Sequence, residues 1–172
     1  MTTRAPGAPS TGYLVWHLSL RWQVQLSRAL APLGITHTDY AVLASLRGLA
    51  QAGVQPSQRE LADVSGLEPM YVSRLVRGLE RAGLVERRPH PGDPRANQLS
   101  LTDRGDEIVT AGRRVVVRLD DERLAALGGP SSERAVRFTE ALTDLLHQAR
   151  ATGADASPPA KGRSTLTKET QP

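Results

Sequence analysis

Arginine side chains are concentrated between residues 71 and 95, in a pattern that suits contact with a polyanion. Six arginines in this stretch face only three acids (Glu80, Glu86 and Asp93), and the six are Arg74, Arg77, Arg81, Arg87, Arg88 and Arg95. Guanidinium groups bind phosphate oxygens, and they also donate paired hydrogen bonds to the edge of guanine. The chemistry that this stretch predicts is therefore nucleic-acid binding rather than the making or breaking of bonds.

A short helix and a tight turn precede most of these arginines. Ser57 and Glu60 have the spacing of a capping box, in which each side chain satisfies a backbone N–H of the other residue. Gly66 then ends the helix, because glycine adopts the left-handed conformation without steric penalty. Pro69 suits the first turn of a second helix, where its missing N–H costs nothing. This order of elements is typical of a helix-turn-helix.

The second helix has one apolar face and one polar face. Its apolar residues recur at helical spacing and predict a buried stripe of Val72, Leu75, Val76 and Leu79. We expect the other face to meet a DNA major groove or its phosphates, through Pro69, Met70, Tyr71, Ser73, Arg74 and Arg77. Arg74 is the candidate for a guanine contact and Ser73 for a phosphate contact, and Ser57 joins this set. Two alternatives stay open: the arginines are merely solvated, or Arg74 forms an ion pair with Asp63 or Glu80.

Two short β-prone segments follow, at residues 84–88 and 98–101, with a turn rich in proline and glycine at residues 91–94. A helix-turn-helix followed directly by a β-hairpin is a winged helix. Arg95 near the tip is the candidate for a minor-groove contact. Asp93 repels phosphate, so we expect it to hold Arg95 or a helix arginine by a salt bridge. Arg87 and Arg88 either reach the DNA backbone or serve as charges on an exposed strand edge.

Four further helices are predicted around this unit. The first, at residues 11–33, is apolar on more than one face, which is typical of a helix that is buried or paired with a partner chain. The next runs from Tyr40 to about residue 50, with Thr36 or Thr38 as its cap. The last two cover residues 102–127 and about 131–148, separated by a glycine-proline stop.

The central region resembles the MarR family of bacterial transcriptional regulators. The matching stretch begins at Glu60 and reads ELADVSGLEPMYVSRLVRGLERAGLVERRPHPGDPRANQLSLTDRG. Its most specific features are the helix end Leu-Glu-Arg-Ala-Gly-Leu-Val, the wing pair Asp93-x-Arg95 and the Leu101-Thr102-x-x-Gly105 that opens the next helix. The wing departs from the usual Asp-Arg-Arg of the family, because Pro94 removes one charge and stiffens the tip.

The resemblance implies a mainly α fold with a small β-wing, a winged helix-turn-helix domain flanked by N- and C-terminal dimerisation helices. It implies a reading part at residues 36–101 within a domain spanning 11–150, and a dimer lobe formed by residues 11–33 and 102–148. It also implies a homodimer that binds double-stranded DNA at a near-palindromic operator and represses its own or adjacent genes. A winged-helix protein-interaction module without specific DNA binding is the alternative.

Many members of the family release DNA when a small aromatic compound binds between the dimer lobe and the reading part. By this resemblance, the candidates for gripping such an effector are Trp16, His17, Trp22, His37 and Tyr40. Trp and Tyr offer large apolar area with one polar handle, although core packing explains the same residues without any ligand. The two histidines lack neighbours at metal-site spacing, so we expect no metal and no cofactor.

Composition excludes several functional classes. The chain of 172 residues contains no cysteine, which excludes disulfides and thiol-based sensing. No catalytic triad, phosphate-binding glycine loop or metal triad is legible, so an enzyme is not expected. No apolar run reaches the roughly 20 residues that span a bilayer, and we expect a cytoplasmic protein without a membrane partner. Residues 1–10 and 151–172 have the composition of disordered tails.

Overall fold

The computed structural model describes residues 9–90 and 93–151, which form a mainly helical domain with a two-stranded wing. This is the expected fold class. Most of the two tails that we predicted to be disordered lies outside the described residues. The elements, in chain order, are α1 (Thr11–Leu30), α2 (His37–Gln51), α3 (Gln58–Ser65), α4 (Pro69–Arg81), β1 (Val85–His90), β2 (Asp93–Leu101), α5 (Asp103–Leu124) and α6 (Glu133–Ala151), with 3₁₀ turns at Ala31–Leu33 and Ala125–Leu127.

Side-chain caps set where the helices begin. Thr36 rather than Thr38 caps α2: the Asp39 N–H donates to Thr36 Oγ1 at 3.1 Å, and the Thr36 N–H donates to Asp39 Oδ2 at 2.9 Å. The predicted box at α3 is also present. Thr102 caps α5 by accepting the Gly105 N–H at 3.0 Å. Short polar side chains thus satisfy the first N–H groups of each of these helices.

One hydrophobic core joins α2, α3, α4, the wing and the first half of α5. Its largest fully buried side chains include Leu43, Leu46, Leu61, Val72 and Leu99. Gly105 brings α5 against the start of the wing, because a Cβ at this position would lie 2.1 Å from the Leu84 carbonyl oxygen. The core therefore locks the helix-turn-helix to the wing and to the long helix α5.

The wing is longer than the sequence pattern predicted. β1 and β2 pair antiparallel from Val85 opposite Leu101 to Pro89 opposite Asn97, with an irregularity after Pro89. Proline is tolerated there because the strand lies at a sheet edge, where a missing N–H breaks no further ladder bond. The segment before α3 also joins the sheet: the Leu99 N–H donates to the Pro56 carbonyl at 2.8 Å. Of the predicted turn, residues 91 and 92 lie outside the described part of the chain.

The outer face of α1 is apolar and exposed. Tyr13, Leu14, Trp16 and Val24 each leave more than half of their surface uncovered. The wide apolar surface predicted for α1 is therefore only partly buried within a single chain. No helix among the described residues combines the length and the apolar composition needed to cross a bilayer.

Candidate nucleic-acid interface

The turn between α3 and α4 orients α4 against the body of the domain. Gly66 ends α3 in the left-handed conformation at φ +66°, as predicted. Glu68 then caps α4 by accepting the Tyr71 N–H at 2.9 Å, and Pro69 occupies the first turn. This cap was not predicted from the sequence, although a carboxylate before Pro69 is a recognisable signal. The result is a helix-turn-helix with a defined exit angle for α4.

Burial divides α4 into the two predicted faces. Val72 and Val76 are fully buried and Leu79 is 3% exposed, which anchors one side of the helix in the core. The other side is open: Met70 is 70% exposed, and Pro69, Tyr71, Arg74 and Arg77 are exposed as well. A helix held by one face that presents arginines on the other has the shape and charge needed to enter a DNA major groove.

Arg74 lies at the centre of this exposed face. Its guanidinium carbon is 5.9 Å from the centroid of the Tyr71 ring, one turn earlier on the helix. This is the distance of a cation–π contact, which positions the arginine and leaves its N–H groups free to donate. The alternative ion pair with Asp63 or Glu80 is absent within the described residues.

Two further arginines fold back along α4. Arg77 donates from Nε to the Ser73 carbonyl at 3.1 Å and from a terminal nitrogen to Ser73 Oγ at 3.3 Å. Arg81 repeats the pattern by donating to the Arg77 carbonyl at 3.2 Å. Ser73 is half-buried, and its hydroxyl lies between the helix and the Arg77 guanidinium. Ser73 and Arg77 therefore form one polar unit rather than two independent contacts.

The wing arginines have acidic partners of their own. Arg87 forms an ion pair and hydrogen bond with Glu80 near the end of α4, and this contact holds the pKa of the Glu80 carboxyl below its ordinary value. Arg88 pairs with Glu86 at 3.1 Å but remains 72% exposed at its side chain. Arg87 is thus matched by Glu80 in the protein without DNA, and the predicted contact of either arginine with the DNA backbone stays a prediction.

Three other predicted contact residues are placed less directly. The hydroxyl of Ser57 accepts the Glu60 N–H at 3.3 Å as a helix cap, and Ser57 also forms a bridge with Gln98 of β2. Asp93 and Arg95 belong to β2 by their backbone, and their side chains lie outside the described part of the structure. The predicted salt bridge between them remains a prediction.

The five effector candidates lie in several separate environments of the described structure. His17 packs between the rings of Tyr13 and Trp16 on the exposed side of α1, with centroid distances of 4.2 and 4.6 Å. His37 is held by Ser27, whose Oγ lies 2.8 Å from Nδ1. Trp16 is 57% exposed, so packing within the core does not explain it. These residues belong to separate environments along α1 and at the start of α2.

The other two effector candidates contact α5. The Trp22 ring stacks under the Arg123 guanidinium at 4.2 Å. Tyr40 packs so closely on α5 that a Cβ at Gly112 would lie 2.6 Å from its ring, and burial raises the pKa of its hydroxyl. Tyr40 is thus a packing residue at the α2–α5 contact.

The fold and the exposed basic face of α4 define a winged helix-turn-helix DNA-binding protein. The MarR family model matches residues 35–96. The chain is 38% identical over 137 residues to the uncharacterized HTH-type transcriptional regulator YdcH of Bacillus subtilis, which covers 80% of this chain and 90% of that protein. It is 32% identical over 132 residues to the HTH-type transcriptional repressor Rv2887 of Mycobacterium tuberculosis, covering 76% and 91% of the two chains. The chain belongs to the MarR family of transcriptional regulators.

Solved structures give the same assignment. Wild-type MarR of E. coli in its apo form is 25% identical, with a TM-score of 0.65, and the match covers 81% of this chain and 97% of that one. A mutant MarR of E. coli complexed with operator DNA is 26% identical, with a TM-score of 0.67, covering 78% and 91%. The chain is therefore similar over most of its described length to a protein whose structure includes operator DNA.

Proposed function

We propose that this protein is a homodimeric repressor that reads a near-palindromic operator through α4. The observation that carries the proposal is the division of α4 into a face buried at Val72 and Val76 and an exposed face centred on Arg74. The relative from Mycobacterium tuberculosis is named a repressor, and a MarR structure contains operator DNA. Both names support the same role for this chain.

Within the major groove, Arg74 supplies the guanine contact. Tyr71 holds its guanidinium near the helix, so less rotamer entropy is lost when the arginine binds a base. Pro69 and Met70 lie at the N-terminal end of α4, where recognition helices approach base edges. Ser73 and Arg77 bind a phosphate together. In this proposal the Arg74 contact reads the base sequence, and the phosphate contacts set the position of the protein on the DNA.

The wing and the start of α3 hold the backbone of the DNA. Arg88 is the exposed arginine of β1 and is the one available for a phosphate. Arg95 enters the minor groove next to the wing, with Asp93 as its partner. Ser57 donates its hydroxyl hydrogen to a phosphate, because its lone pair is the part used in the helix cap. Arg87 acts by orienting the wing.

Two copies pair through a groove of about 600 Å³ between α1, α5 and α6. Apolar side chains make up most of its exposed lining, through Leu14, Val15, Leu18, Trp22, Phe138 and Leu142, and Asp120 also lines it. Such a surface on one chain indicates a partner, and a second copy covers the matching surface by symmetry. Pairing through these outer helices holds two α4 helices roughly 34 Å apart, one turn of B-DNA.

A small effector releases the DNA by acting where the dimer lobe meets the reading part. Trp16, His17, Trp22, His37 and Tyr40 remain the aromatic candidates for contacting it, spread over α1 and α2. Trp22 and Tyr40 contact α5, so a ligand that displaces either ring changes how α5 packs against its neighbours. The effector site then requires the partner's surface to complete it.

Fluorescence anisotropy tests the DNA-binding proposal. The full-length protein is titrated onto the region upstream of its own gene across a salt series, with random DNA of equal length as the control. We expect the upstream fragment to bind at least 1,000-fold more tightly, on the order of known specific complexes, with a steep salt dependence. Equal affinity for the upstream fragment and for the random DNA would overturn the proposal that the protein represses its own gene.

A further inference from the structure

A second cluster of arginine side chains lies beside the middle of α5, away from the wing. A cleft of about 460 Å³ opens between α2 and α5, and four arginines line it: Arg47, Arg113, Arg114 and Arg118. Only one acidic side chain, Asp121, belongs to the lining. None of these residues was singled out by the sequence, because α3, α4 and the wing separate α2 from α5 along the chain.

The positions on α5 explain why the charges converge. Residues 110, 113, 114, 117 and 118 follow the three- and four-residue spacing of neighbours on a single helix face. Arg47 approaches this face from α2. The cleft is therefore built by two helices that the core holds in contact, rather than by one mobile loop.

Arg47 is held in place. Its Nε lies 3.3 Å from Asp106 Oδ1, and a terminal nitrogen donates to Thr110 Oγ1 at 2.8 Å. Arg113, Arg114 and Arg118 form no ion pair or side-chain hydrogen bond within the described residues. Three guanidinium groups that lack an ion-pair partner among the described residues therefore lie on adjacent turns of α5, where like charges repel one another.

We propose that this cleft binds a small organic anion with two or more carboxylate or phosphate groups. Such a ligand relieves the repulsion among the α5 arginines, and guanidinium groups match carboxylate and phosphate in pairs. The volume falls within the range of ligand pockets. Val117 is the one aliphatic hydrophobic side chain in the lining, so the cleft offers little to an aromatic ring. The ligand is recognised by its charges.

The same cleft connects to DNA binding, and this half of the proposal rests on the proposed function above. Arg47 belongs to α2, which packs on the helix-turn-helix, whereas Arg113 and Arg114 belong to α5, which continues into the outer helices. An anion that bridges the two helices competes with Asp106 for Arg47. Binding of the anion thereby shifts the position of α2 relative to α5 and changes the affinity of the protein for the operator.

Isothermal titration calorimetry without DNA tests the site, with sodium citrate and sodium pyrophosphate as probes and ionic strength held constant. The test variant is Arg113→Gln/Arg114→Gln. The matched control, Arg28→Gln/Arg134→Gln, removes two exposed charges outside the cleft. We expect saturable binding to the wild type and the control, at least tenfold weaker binding to the test variant, and at least tenfold weaker binding of benzoate. Absence of saturable binding, or equal loss in both variants, overturns the site.

Anisotropy with operator DNA tests the regulatory half. Saturating citrate at constant ionic strength should change the DNA dissociation constant at least threefold for the wild type and leave the test variant unchanged. Citrate binding without a change in DNA affinity overturns regulation and leaves the site standing. If the test variant binds DNA less tightly and neither protein binds citrate, the arginines contact DNA phosphates and the proposal fails. The calorimetric result holds even if no operator is found.

Discussion

Glu80, near the end of α4, and Arg87, in the first strand of the wing, form an ion pair that joins these two elements. The two residues are seven positions apart, with the turn at Gly83 between them. This contact connects the last turn of α4 to the first strand of the wing. It also neutralises a carboxylate close to the arginines of α4, which favours the proposed DNA binding without adding a DNA contact.

Glu80→Gln should lower the melting temperature at pH 7 by a small amount, about 1–3 °C for an ion pair this exposed. The Arg87 contact depresses the pKa of Glu80 below 4.5, so its stabilising effect is present above that pH. The effect is lost as pH falls through the depressed pKa. Circular dichroism melts from pH 7 to pH 3 should therefore show the difference from wild type fading below pH 4.5. Glu140→Gln on α6 is the control, and a pH-independent difference would contradict the assignment.

Arg74→Ala should weaken binding to the operator by ~1–3 kcal/mol, because it removes the paired hydrogen bonds to guanine. Arg74→Lys should also weaken binding, since an ammonium group keeps the charge but lacks the rigid planar fork of N–H donors. Anisotropy titrations at one salt concentration measure both variants against Arg134→Ala on α6. An unchanged dissociation constant for Arg74→Ala would remove this residue from the reading face.

Gly105→Ala should destabilise the fold by ~1–3 kcal/mol or more, because its new Cβ would overlap the Leu84 carbonyl oxygen at 2.1 Å. Gly78→Ala on α4 is the matched substitution, since nothing lies within 4 Å of its Cβ position. It should stabilise the helix by roughly 0.5–1 kcal/mol. Urea denaturation of both variants measures the change in the free energy of unfolding, which should have opposite signs for the two substitutions. A neutral result at Gly105 would show that α5 moves away from Leu84 easily.

Leu18→Glu should separate the dimer, because it puts a carboxylate into the apolar groove between α1, α5 and α6. An unpaired charge buried at an interface costs several kcal/mol, so we expect the dimer dissociation constant to rise at least about 100-fold. Sedimentation velocity measures the change. Val54→Glu, at an exposed position outside the groove, should leave the dimer intact. Dimers of Leu18→Glu at micromolar concentration would move the interface elsewhere.

Local signals in the sequence were sufficient to predict the helix-turn-helix of the reading part. The capping box at Ser57, the left-handed Gly66 and the buried stripe of α4 all depend on residues within about two helical turns of each other. Such interactions leave a short-range pattern that single-sequence reasoning can detect. The wing was predicted as a hairpin but too short, because the length of a strand depends on its partner, and Pro89 is tolerated only in the edge position that the fold provides.

The amino-acid sequence alone determined the class of this protein: a helix-turn-helix, a wing and a surplus of arginine, in the order that is typical of a DNA-binding winged helix. Tertiary structure decided which arginines are available. Arg74 stacks on Tyr71, Arg87 is matched by Glu80, and three arginines of α5 stand unmatched beside Arg47. The physical reason is that charge pairing acts between residues brought together by packing. Residues 47 and 113 become neighbours only after the core has placed α2 against α5.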